Sequence, residues 1–427
     1  MKVILDISSI GDNIKNRTGV ARVAWTLTTL LHQKLGDDLS FSATGSINAS
    51  LQAERLIESQ PQLRSAIYPV NFLARNIDRL NTQVANSSDR STNNLFQQTK
   101  QSTLVNISRG FNLTRQPIDP KILAQADIFH STYPRIPQQV RKNLPRRHLQ
   151  TVYDLTPLIL NEKYFAPDSP GVTKRLIDTI QPDDWVTTIS NSARNDLLDR
   201  RPHLNPDRII TIYLAASPEL FHPISNRSVI EIVKQKYQLP EGDYFLSLHS
   251  LAPHKNMEHL IDCFKQVIHQ EKTKDLHLVI CGGNKNSVAA TIDSNRLTTT
   301  DLKNIHFTGF VDDDDLAAIY SGALGFIFPS LYEGFGLPVL EAMQCGCPVI
   351  SSNTSSLPEV VGEAGFLVSP TDKDPLCESI LKLYHSPELR SKYAQLSVER
   401  SALFSWEKTV DATLAMYTNI LQSDVCN

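Results

Sequence analysis

Short apolar runs recur along the chain, each followed by a polar or glycine-containing turn and then by a stretch with helical spacing. KVILDI (2–7) predicts a buried strand; Ser8 to Gly19 reads as a polar loop, and VARVAWTLTTLLHQ as an amphipathic helix. Further strands are predicted at DIFHST (127–132), LQTVYDL (149–155), WVTTIS (185–190) and RIITIYL (208–214), with helices such as SARNDLLD between some of them. The alternation breaks at SPELFHPISNRS and at QLPEGD, and then resumes. Strands are predicted at YFLSLHS (244–250), LHLVICGG (276–283), IHFTGF (305–310), LGFIFPS (324–330), CPVISS (347–352) and GFLVSP (365–370). Helices fill the gaps at MEHLIDCFKQVIHQ and DDDLAAIYSGA, and WEKTVDATLAMYTNILQ (406–422) closes the chain.

This repetition predicts an α/β protein of two doubly wound parallel sheets. The expected domains are 1–218 and 241–405, joined by a connection at 219–240, with a final helix at 406–427 crossing back to the first domain. Residues 81–108, rich in Asn, Ser, Thr and Gln, read either as a surface insertion or as a segment that orders over an acceptor.

A length of 427 residues agrees with more than one core. The formal net charge of −3 gives no basic field for nucleic acid, and the N-terminal apolar run is too short for a signal peptide. Six scattered cysteines include Cys345 and Cys347, a pair that could be metal-binding or redox-active. Without a second ligand pair, buried thiols in a reducing cytoplasm are the simpler reading. The expected location is cytoplasmic, with peripheral contact at the inner membrane face left open.

In parallel α/β sheets ligands bind beyond the carboxyl ends of strands. Several polar features fall there: His249-Ser250, then His254 and Lys255; Gly282-Gly283; Gly309, Phe310 and Val311; and the loop around Glu333. FIFPSLYEGFGLPVLEAM (326–343) sets Glu333 and Glu341 eight residues apart around Gly334, Phe335 and Gly336. Leu337 and Pro338 then open a helix whose free N–H groups suit an anion or hydroxyl. Glu341, read into that helix's first turn, would be held ionised by the dipole, and an ionised carboxylate suits a pair of sugar hydroxyls. The plainer alternative is a helix-start acid beside a solvated loop acid. Lys255 suits a phosphate or is an ordinary surface lysine. Asp312 to Asp315 read as helix-capping acids rather than metal ligands. In the first half Gly19 opens a helix with Arg22 one turn further in, while His130 and Asp154 end strands, where such residues are often structural.

FPSLYEGFGLPVLEAMQCGCPVISSNTSSLPEVVGEAGFLVSP (328–370) resembles the retaining glycosyltransferases of family 4, the group 1 glycosyl transferases, including mannosyltransferases. HKN (254–256), GF (309–310), the His130 segment, YDLTPL (153–158) and FSWEK extend the resemblance over most of the chain, least from about 40 to 120. It implies a GT-B fold, two Rossmann-like domains facing a cleft. It also implies a GDP-sugar or UDP-sugar donor, GDP-mannose first, with no cofactor and no metal, and a saccharide or lipid-linked saccharide acceptor. By resemblance Glu341 holds the ribose, and Glu333 the transferred sugar. Gly334, Phe335, Gly336 and Leu337 face sugar and diphosphate, Lys255 neutralises the diphosphate with His254 beside it, and Gly282, Phe310 and Val311 lie towards the nucleotide. Gly19 approaches on closure, and Glu333, Lys255, Asp154 and His130 are the catalytic candidates. Two departures stand out: Tyr153 where relatives often have His, and His254 where they often have Arg. A non-catalytic sugar-nucleotide-binding subunit and a sugar-nucleotide epimerase are the alternatives.

Overall fold

The computed structural model describes residues 1–13, 19–45, 47–66, 118–160, 168–248, 252–272, 275–283 and 303–425. The polar stretch 81–108 and the pair His249-Ser250 lie outside these residues. Among the described residues the chain forms two six-stranded parallel sheets.

The first sheet contains β1 (Val3–Asp6), β2 (Leu39–Ser42), β3 (Ile128–Ser131), β4 (His148–Val152), β5 (Trp185–Thr188) and β6 (Ile209–Thr211), in the order β2-β1-β3-β4-β5-β6. The second contains β7 (Asp243–Leu248), β8 (Leu276–Cys281), β9 (Ile305–Gly309), β10 (Gly325–Phe328), β11 (Val349–Ser352) and β12 (Gly365–Val368), in the order β12-β11-β10-β7-β8-β9. Strands inside the sheets, such as β1, β4, β10 and β11, are wholly buried, as parallel strands covered by helices on both faces must be, while the edge strands β6 and β12 are partly exposed. Strand order reverses between β1 and β3 and between β7 and β10, so each sheet has one crevice at its carboxyl edge where a ligand can enter.

Eleven of the twelve strands fall where the apolar runs predict them. The exception is β2: its sequence LSFS is half polar and only four residues long, but Leu39 and Phe41 are buried. One expectation needs correction. The loop after β1 contains the Ser8–Asn13 helix. The expected connection 219–240 contains the Arg227–Lys236 helix, whose Lys236 reaches Asp315 at 2.6 Å.

The Trp406–Val425 helix packs on the first sheet, where Val410, Met416, Tyr417 and Ile420 join Val3, Leu5 and Leu27 in one apolar cluster. A second cluster spans the domain boundary, bringing Val23, Tyr153 and Ile189 against Phe335, Val339 and Leu340. Among the described residues no helix is long and apolar enough to cross a membrane.

Candidate functional site

Two loops meet at the crevice between β7 and β10. The turn Pro253–Lys255 follows β7, and its end is fixed by Asn256, whose left-handed backbone (φ 60°) lets the amide donate to Pro329 O at 3.0 Å and Pro370 O at 2.7 Å. The carbonyl of His254 accepts from the Leu331 N–H at 2.8 Å and the Ser330 hydroxyl at 3.1 Å. His254 thus staples the two loops through its backbone, with its side chain largely buried. These bonds place Lys255 Nζ 2.6 Å from Glu333 Oε1 and 5.2 Å above the Phe328 ring. The lysine is 18% and the glutamate 12% exposed, so the pair is shielded but not sealed.

The glycine loop is built by close contacts. A Cβ on Gly336, which has φ 101°, would lie 2.7 Å from Leu357; one on Gly334 would lie 2.7 Å from the Asp154 Cβ. Gly334 is therefore the point where the loop carrying Glu333 touches the first domain. Phe335 is buried between Tyr213 and Phe404, with ring centroids 6.2 and 5.9 Å away. Gly19 approaches Leu337, its missing Cβ 3.7 Å from the leucine side chain.

Glu341 lies in the second turn of the Leu337–Gln344 helix, not the first, so the dipole is not its chief support. Burial, to 3% exposure, pushes its pKa up, and Arg22 from the first domain opposes that shift through an ion pair of 2.6 Å. Arg22 also lies 3.9 Å from Asp313. Both carboxylates around the glycine loop therefore have a basic partner, Lys255 for Glu333 and Arg22 for Glu341. Arg22 is 319 positions from Glu341 in sequence, so its only early signal is the placement one turn beyond Gly19.

The remaining candidates divide. Burial also raises the pKa of Asp154; Thr156 opposes this by hydrogen bonding, and nearby Glu333 adds to it. Asp154 thus joins the Lys255–Glu333 group from the opposite domain. Gly282 and Gly309 adjoin at neighbouring strand ends through a 2.7 Å backbone bond. Phe310, at the end of β9, is 58% exposed, and Val311 beside it is buried in the core. His130 lies apart from this group, inside the first sheet. It is 1% exposed, its ring nitrogens bond Tyr417 Oη at 2.7 Å and Thr151 Oγ1 at 2.8 Å, and burial pushes its pKa down to about 3. Burial thus favours its neutral form.

Asp312 precedes the Asp313–Gly322 helix without a side-chain cap bond; Asp312 and Asp315 pair instead with Lys236 at 3.1 and 2.6 Å. Glu359 carries no signal in the sequence pattern. Its carboxylate accepts from the N–H groups of Asn191 and Ser192, at 2.8 and 2.7 Å, and from the Tyr213 hydroxyl at 2.9 Å. The first domain's Asn191–Arg200 helix thus grips the second domain by its N-terminus.

The family described as glycosyl transferases group 1 matches residues 229–398, which include Lys255, Glu333 and Glu341. The O-antigen chain mannosyltransferase B of Escherichia coli is 32% identical over 273 residues, covering 64% of this chain and 70% of that protein. The serotype-specific mannosyltransferase WbdA of Escherichia coli is 30% identical over 285 residues, 66% of this chain; the chain spans only 34% of WbdA. In fold, the chain is similar to Anabaena HepE, solved in complex with UDP, with TM-score 0.64 and 14% identity over 98% of this chain and 100% of that one.

Proposed function

Because the chain belongs to the glycosyl transferases of group 1, we propose that it moves a hexose, with retention and without a metal ion, from a nucleoside-diphosphate sugar to a hydroxyl acceptor. GDP-mannose is the proposed donor, supported by similarity to a named mannosyltransferase; UDP-glucose and UDP-N-acetylglucosamine follow, HepE having been solved with UDP. The acceptor is a saccharide or lipid-linked saccharide. The five described cysteines are buried free thiols, which supports a cytoplasmic setting.

The observation that carries this reading is the meeting of Lys255 and Glu333 at the reversal of strand order, 2.6 Å apart and partly open. A donor lying there offers its diphosphate to the ammonium and its sugar hydroxyls to the carboxylate, so each group exchanges one partner for another. Glu341 makes the same exchange, passing from Arg22 to the ribose hydroxyls. The bond from the anomeric carbon to the phosphate oxygen breaks with its electron pair going to the phosphate. The acceptor oxygen bonds the same face, and its proton passes to the leaving phosphate. Lys255 meets the charge that grows on that phosphate, which is where a fixed charge lowers the barrier most. In this reading Asp154 orients the acceptor hydroxyl, which its approach to Gly334 supports.

Slow transfer to water tests this without a known acceptor. Purified protein given GDP-mannose in EDTA should release GDP and, in early NMR spectra, α-mannose. Release of β-mannose would overturn retention, loss of turnover in EDTA would overturn metal independence, and turnover of only the UDP-sugars would move the donor.

A further inference from the structure

We propose that the acceptor carries a phosphate-type anion, and that Arg135 and Arg175 hold it. This rests on the transferase reading above and narrows its acceptor. A cavity of about 370 Å³ lies in the first domain, of a size that takes a small ligand. Its wall includes Tyr133 and Arg135 from the loop after β3, Tyr153 and Asp154 from the end of β4, and Arg175 from the Asp168–Ile177 helix.

Three observations give the cavity its chemistry. Asp154 both lines it and touches Gly334, so the cavity adjoins the loop that bears Glu333, where a receiving hydroxyl has to be. The rings of Tyr133 and Tyr153, with centroids 6.2 Å apart, form an aromatic wall against which a sugar face can pack. The Tyr153 hydroxyl forms no hydrogen bond among the described residues, which leaves it a donor for the acceptor. The third observation sets the charge. Arg135 and Arg175 are both exposed, and among the described residues neither forms an ion pair or a hydrogen bond. A neutral saccharide has no need of two cations, whereas a guanidinium matches a phosphate in charge and in fork geometry.

A free sugar phosphate and a lipid-linked sugar phosphate share this chemistry. The test is titration calorimetry of the full chain saturated with GDP, so that the donor's own phosphate positions are filled. The probes are mannose, mannose 1-phosphate and decyl mannosyl phosphate. Mannose 1-phosphate should bind about tenfold or more tighter than mannose, and the double variant Arg135→Gln/Arg175→Gln should lose that preference while keeping its affinity for GDP. Equal binding of mannose and mannose 1-phosphate, or a preference that survives in the double variant, overturns the proposal. Decyl mannosyl phosphate binding tighter still assigns a lipid carrier, and equal binding a soluble one; both support the anion. Failure to bind GDP would count against the donor reading alone, and UDP would then fill the donor positions in the same titration.

Discussion

In β3 the ring of His130 bonds Tyr417 and Thr151 and meets almost no solvent, whereas after β10 the carboxylate of Glu333 bonds Lys255 and stays partly open. Asp6, at the end of β1, resembles His130: it is buried and accepts from the Ser8 N–H at 3.0 Å, the Ser42 hydroxyl at 3.2 Å and the Thr44 N–H at 2.8 Å. These first-sheet groups are bound by neutral partners inside a packed core, so exchanging partners would mean breaking the fold. Glu333 and Glu341 of the second domain are held instead by long cationic side chains at a boundary, Lys255 across a crevice and Arg22 across two domains. Such partners can swing to a ligand and back. A polar residue at a strand end marks a site only when its partner is exchangeable.

Three variants sharpen this comparison. Lys255→Ala should lower turnover about a hundredfold or more, because it removes a fixed charge where leaving-group charge grows. Turnover near wild type would place Lys255 with the structural residues. Glu341→Ala should weaken nucleotide binding about tenfold through the lost ribose bonds, read by calorimetry with GDP; wild-type affinity would sink the ribose assignment.

The smallest effect belongs to His130 and is one of stability. Burial holds its folded pKa at about 3, below the ordinary value of about 6.5, so the unfolded chain takes up the proton first. Its contribution is full above about pH 6.5 and is lost as pH falls towards 3, by at most about 1.4 kcal/mol per pH unit. Urea unfolding at pH 7, 6 and 5 should show a shallower loss of stability in His130→Gln than in the wild type. Equal slopes would mean that the histidine is not held neutral by the fold.

Most of the framework is legible in sequence because parallel strands buried on both faces are continuous apolar runs. β2 escaped that test, since Ser40 and Ser42 break its pattern and burial of Leu39 and Phe41 depends on neighbours far along the chain. Glu333, Glu341 and Lys255 were visible as residues placed after strands, and the motif resemblance singled them out. Their partners were not. Arg22 reaches Glu341, and the Asn191 helix end reaches Glu359, only when two domains pack, and no local spacing encodes such a contact. His130 shows the reverse: its place at a strand end reads as open, yet packing encloses it.

Lys255 should be the group that answers to the diphosphate, and the direct test compares GDP with GMP by calorimetry in wild type and Lys255→Ala. The wild type should prefer GDP by about tenfold or more, in line with a charge-assisted bond to the second phosphate, and the variant should bind the two about equally. A preference for GDP that persists in Lys255→Ala would contradict the claim and place the diphosphate away from the Lys255–Glu333 pair.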